Sequence, residues 1–107
     1  MSCRSVLMPI ILGAFAAAPA GAFAGDDAPS GKELFSSVEP ACSVCHVLRD
    51  AGAVGRVGPN LDELQPTPEQ VRKALQDGPG AMPAYGERLS EAEIDAVAEY
   101  VASAAGT

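Results

Sequence analysis

The sequence predicts an all-α fold of three to four short helices, and three observations predict it. The capping-box pattern S/T-x-x-E/Q occurs at Ser30–Glu33, Thr67–Gln70 and Ser90–Glu93, each time ahead of apolar residues at helical spacing. No strand-like alternation of period two is visible. Most of the 11 glycines and 9 prolines of the chain fall outside these stretches, where they mark loops. At 107 residues the chain makes one domain at most.

The N-terminal stretch has the three parts of a secretory leader. Arg4 is a weak positive start, Val6 to Ala18 is an apolar run, and Ala22-Phe23-Ala24 is an A-x-A cleavage site before Gly25. A cut after Ala20 fits the same pattern. An uncleaved membrane anchor is the other reading, because no charge occurs between Arg4 and Asp26. Pro9, Gly13, Pro19 and Gly21 interrupt that run, whereas a spanning helix needs about 20 apolar residues. The expected organisation is a signal peptide over residues 1–24, a polar lead-in over 25–29 and one domain over 30–105. Removal of the leader takes away Arg4 and none of the 14 acidic residues, which leaves 83 residues with a net charge of −8. So acidic a chain is a poor partner for nucleic acid or an anionic membrane surface.

The first helix starts at the Ser30 box, turns Leu34, Phe35 and Val38 to one face, and ends before Glu39-Pro40, since a residue preceding proline leaves the α region. Arg49 to Gly58 has three glycines and little periodicity, and reads as a loop. Gly58 to Leu64 adds a turn with two spaced leucines. The second box opens a helix with Pro68 at its first position, where a missing N–H does no harm. Val71, Ala74 and Leu75 form its apolar stripe, and Asp77-Gly78-Pro79-Gly80 stops it. Residues 80–89 hold no regular structure. The last helix runs from the Ser90 box to about Ser103, with Ile94, Val97, Ala98 and Val101 spaced i, i+3, i+4, i+7.

Between the first helix and the loop stands Cys42-Ser43-Val44-Cys45-His46, or C-x-x-C-H. At this spacing two thiols can join the two vinyl groups of one haem, and the adjacent imidazole can reach its iron as proximal ligand. Structural zinc is a weaker reading, because it takes four Cys/His ligands and the only other cysteine is Cys3, ahead of the apolar run. A thioredoxin-like redox pair needs a βαβ setting. A plain disulfide leaves His46 without a role. Covalent haem also suits a small exported chain, since its apolar faces replace side chains in a core that is otherwise too small.

With these pieces placed, residues 30–103 resemble the class I cytochromes c, in particular the small bacterial monohaem kind related to cytochromes c553 and c6. Four elements carry the resemblance in order: Gly31-x-x-x-Phe35, the C-x-x-C-H of residues 42–46, Gly58-Pro59-Asn60-Leu61, and Met82-Pro83 before the final helix. The resemblance implies helices and loops wrapped around one covalently bound haem c, with Cys42 and Cys45 as thioether anchors and His46 as axial ligand. It implies that the Pro59 carbonyl accepts the other N–H of His46, a bond that orients a metal-bound imidazole; shaping the turn is the plainer role for that proline. Two roles are open to Met82, sixth ligand to iron or gap-filling core residue. Met1 and Met8 lie in the leader, and a loop methionine followed by proline suits a ligand better than a core. Gly31, Phe35 and Tyr100 match positions where the first and last helices of the family cross. Tyr85 is either a haem neighbour or an ordinary half-buried tyrosine, and Arg56 and Arg88 are candidate partners for the haem propionates. Leu61 and Leu64 read as haem-facing core.

These implications converge on a periplasmic one-electron carrier rather than an enzyme. Its partners would be redox proteins met at an exposed haem edge, and its mature form a monomer that is not membrane-bound. With Lys32 and Lys73 its only lysines, it lacks a basic docking ring. Two alternatives stand beside it: a haem-bearing subunit of a dehydrogenase or oxidase complex, and a haem enzyme or gas sensor with an open distal site. The last would need Met82 off the iron and a distal base, and His46 is the only histidine.

Overall fold

A computed structural model describes residues 9–10, 13–14 and 28–107. Apart from those first four residues, the expected signal peptide and its cleavage sites lie outside the described residues. Among the described residues four helices follow in order: α1 (Gly31–Ser37), α2 (Leu61–Leu64), α3 (Pro68–Asp77) and α4 (Glu91–Ala104). All three predicted capping boxes form with both halves present, at Ser30 with Glu33, Thr67 with Gln70 and Ser90 with Glu93. Each satisfies two N–H groups that a helix start leaves unpaired. The short α2 is started differently, by the Asn60 side chain accepting from the N–H groups of Asp62 and Glu63.

The expected loop from Arg49 to Gly58 is more ordered than its sequence suggests. Strands β1 (Val47–Leu48) and β2 (Ala53–Val54) pair antiparallel, Val47 with Val54 and Leu48 with Ala53. Between them Arg49–Ala51 makes a 3-10 turn that Gly52 closes in the left-handed region, at φ 64°. Leu48 and Ala53 point into the core while Val54 faces out.

Helix α4 is the hub, packing on both α1 and α3. At the α1–α4 crossing Gly31 has no room for a side chain: a Cβ there would lie 2.6 Å from the Tyr100 Cβ and closer still to the Ala96 carbonyl. Phe35 meets Tyr100 edge to face, with ring centroids 6.1 Å apart and planes at 71°. Arg72 joins α3 to α4 through Asp95, at 2.6 Å. The buried core (Leu34, Phe35, Leu48, Leu75, Val97 and Val101 among others) collects residues from α1, β1, α3 and α4. Among the described residues no helix is long and apolar enough to cross a membrane.

Candidate functional site

The motif residues are shaped by a 3-10 turn over Cys42–Val44. Cys45 and His46 both direct their N–H groups to the Cys42 carbonyl, at 3.2 and 3.0 Å, which gathers two thiols and one imidazole within a single turn. The loop after β2 clamps this turn from outside. Gly58 donates its N–H to the Cys45 carbonyl at 2.7 Å, and its missing side chain leaves room for the imidazole, since a Cβ would lie 2.6 Å from His46 Cε1. The neighbouring Pro59 carbonyl lies 2.7 Å from His46 Nδ1. A carbonyl only accepts, so Nδ1 carries the proton and Nε2 keeps its lone pair. Metal-binding imidazoles have this arrangement.

His46 borders an apolar cavity of about 630 Å³, within the roughly 300–1,000 Å³ usual for cofactor sites. Its walls include Cys42, Cys45, Pro59 and Met82. Cys42, Cys45, His46, Pro59 and Met82 therefore border one cavity. Cys42 and Cys45 are not joined to each other. Burial pushes the Cys42 thiol up to about 11, so the uncombined thiol stays protonated at neutral pH. The donor set fits haem c: two thiols at the right spacing, one oriented imidazole and one thioether, in walls too apolar for a hydrated ion. Among the described residues no cluster of three or more Cys, His, Asp or Glu side chains could hold a metal ion on its own.

Met82 is half-buried in the segment between α3 and α4, and glycine geometry places that segment. Gly78 ends α3 at φ 59°. A Cβ there would lie 2.5 Å from the Ala84 N and 2.8 Å from the Met82 O. Tyr85 then donates its N–H to the Leu75 carbonyl at 2.7 Å. Sequence reasoning took Gly78 for a helix stop and missed its second role, the close return of the Met82 segment; a left-handed glycine shortly before Met-Pro was the available signal.

Three other expectations change. Tyr85 is buried rather than half-buried, and its hydroxyl donates to the Pro40 carbonyl at 2.6 Å. Arg88 donates to the Glu39 carbonyl, and neither Arg88 nor Arg56 borders the cavity. Leu61 and Leu64 both line it, but Leu64 is 58% exposed and belongs to the rim rather than the core.

Comparison with known proteins points to one family. Residues 26–101 match the family described as cytochrome C oxidase, cbb3-type, subunit III. Cytochrome c6 of Gloeothece citriformis (strain PCC 7424) is 34% identical over 102 residues, covering 91% of this chain and 87% of its own. Cytochrome c-551 of Halorhodospira halochloris is 33% identical over 76 residues, covering 68% of this chain and 95% of its own. The crystal structure of the c-type cytochrome SorU from Sinorhizobium meliloti superposes with a TM-score of 0.69 at 54% identity, over 72% of this chain and 88% of that one. By sequence match, fold and cavity, the chain belongs to the class I c-type cytochromes, small monohaem electron carriers with covalently bound haem c.

Proposed function

We propose that this chain is a periplasmic carrier in which Cys42 and Cys45 hold the haem as thioethers and His46 and Met82 are the two axial ligands of its iron. The single observation that supports the assignment is that these four side chains border one apolar cavity, with His46 already oriented by the Pro59 carbonyl. When bound, the haem supplies Fe(III)/Fe(II) cycling, one electron at a time.

The chain's own residues then set how easily that electron moves. The Pro59 carbonyl fixes the ring orientation of His46 and raises its basicity. The Met82 thioether favours the ferrous state and so raises the potential. The apolar walls exclude water and keep the surroundings of the iron similar in both states. If His46 and Met82 both held the iron, no position on it would be left for a substrate, which favours a carrier over an enzyme.

The reading takes residues 1–24 as a cleaved leader, 25–29 as lead-in and 30–105 as the haem domain. Its docking face is the cavity rim, where Val57 and Leu64 are 74% and 58% exposed. Lys32 and Lys73 are engaged with Asp50 and Asp77, which leaves apolar contact to lead in weak, small encounters between monomers and redox partners. A second reading has one observation in its favour, the oxidase-subunit description of the matching family: a haem subunit held in a larger complex, which would co-purify with it.

Optical spectroscopy tests the ligation. The ferric protein is expected to show the weak far-red sulfur-to-iron charge-transfer band, and Met82→Ala to abolish it. A wild-type ferric protein that lacks the band and binds cyanide rapidly would overturn the carrier reading.

A further inference from the structure

Haem brings two propionate carboxylates to a cavity whose lining holds no Asp, Glu, Lys or Arg. An ionised carboxylate removed from water without hydrogen bonds is strongly disfavoured. Any side-chain donor offered by the lining is therefore uncharged. Three lining side chains carry nitrogen or oxygen, namely His46, Gln70 and Tyr85. Two of them are committed: His46 Nδ1 to the Pro59 carbonyl at 2.7 Å and the Tyr85 hydroxyl to the Pro40 carbonyl at 2.6 Å.

Gln70 is committed by half. Its Oε1 accepts from the Thr67 N–H at 2.9 Å and completes the capping box of α3. That bond settles which end of the amide faces the backbone, and the two Nε2 hydrogens are left without a partner among the described residues. Gln70 is exposed while it borders the cavity, so a carboxylate reaching it stays partly hydrated. It also lies in the first turn of a ten-residue helix, where the helix dipole favours negative charge.

Resting on the haem assignment above, we propose that Gln70 anchors a haem propionate through Nε2 while Oε1 keeps the start of α3. One amide thereby couples the helix to the rim of the cofactor. Arg56 and Arg88, which stand off the cavity, take no part.

The conservative variant separates anchoring from capping. Gln70→Glu preserves the box, because glutamate serves at that position, but removes both donors and places a negative charge beside the propionate. In haem-loaded full-length protein it is expected to lower the reduction potential and to change the urea midpoint less than Gln70→Ala does. Gln70→Ala is expected to lower the midpoint as well, since it loses the box. In wild-type ferrous protein labelled with nitrogen-15, the Gln70 amide protons should show nuclear Overhauser cross-peaks to the propionate methylenes. Both results are required. Absence of those cross-peaks, or a loaded Gln70→Glu protein with the wild-type potential, overturns the proposal. The far-red band of the same samples reports Met82 ligation separately, so failure of the axial assignment is distinguishable from failure of the anchor.

Discussion

At Gly58 a hydrogen atom stands where any other residue would drive a methyl group into the imidazole of His46. The clash involves a ring held from its other nitrogen by Pro59, with 2.6 Å from the added Cβ to Cε1. Gly58→Ala is therefore expected to turn the ring, weaken the Pro59 bond and destabilise the folded protein by about 1–3 kcal/mol, the range for overpacked sites. Gly31→Ala makes a comparable clash, with the Ala96 carbonyl and the Tyr100 Cβ, and a similar loss is expected. The two differ in a second readout. Gly58→Ala should change the ferric spectrum, whereas Gly31→Ala, buried at the α1–α4 crossing, should leave it as it is. Urea midpoints and absorption spectra of both variants check this; equal spectra would remove Gly58 from the haem environment. Both glycines were visible in the sequence as parts of a familiar pattern. The reason for each was not, because it lies in an atom brought near by the fold rather than in a neighbour along the chain.

The helices were legible because a capping box is local: cap, first turn and apolar stripe stand within a few residues, and all three boxes close as their sequences predict. The β1–β2 hairpin was not legible, because two residues per strand are too few to show alternation. Its order comes from partners farther along the chain, and Asp62 of α2 is the principal one. Its carboxylate accepts from the Arg49 N–H at 2.8 Å and the Gly106 N–H at 2.9 Å, joining the hairpin turn and the C-terminus to α2. Those two backbone donors hold the carboxyl below its ordinary value of 3.8. A carboxyl depressed in the folded state contributes stability that is fully present above its unfolded value and disappears as the pH falls through the folded one. Asp50 adds to the trend in the same direction, held down mainly by the Tyr100 hydroxyl. The expected outcome is a wild-type urea midpoint that drops between about pH 5 and pH 3, and a shallower drop in Asp62→Asn, which has no carboxylate to protonate. Parallel profiles for the two proteins would show that Asp62 does not carry the acid sensitivity.

For the molecule as a whole the decisive quantity is how much core it has without its cofactor. Among the described residues the fully buried large side chains are few (Phe35, Leu48, Leu75, Val97 and Val101), and four of them, Phe35, Leu75, Val97 and Val101, also line the cavity. Much of the apolar interior thus faces the haem rather than another side chain. A dry cavity of about 630 Å³ would carry a penalty of about 15 kcal/mol at about 24 cal/mol per Å³. That is comparable with the whole stability of a small domain, about 5–15 kcal/mol. Capping boxes, worth about 1 kcal/mol each, cannot offset it. Thioether attachment matters here because it makes the filling permanent: a haem bound only through its axial ligands can dissociate, and one joined to Cys42 and Cys45, as proposed above, would not. Replacing both attachment points, Cys42→Ser with Cys45→Ser, is accordingly expected to give protein that lacks haem by intact mass and shows no cooperative unfolding transition. Cys45→Ser alone should retain one thioether and an intermediate midpoint. The single variant separates loss of the cofactor from the substitution itself, since serine nearly matches cysteine in size and Cys45 is only partly buried. A double variant that is haem-free by mass and still unfolds cooperatively at the wild-type midpoint would show that the helices and hairpin close a sufficient core by themselves.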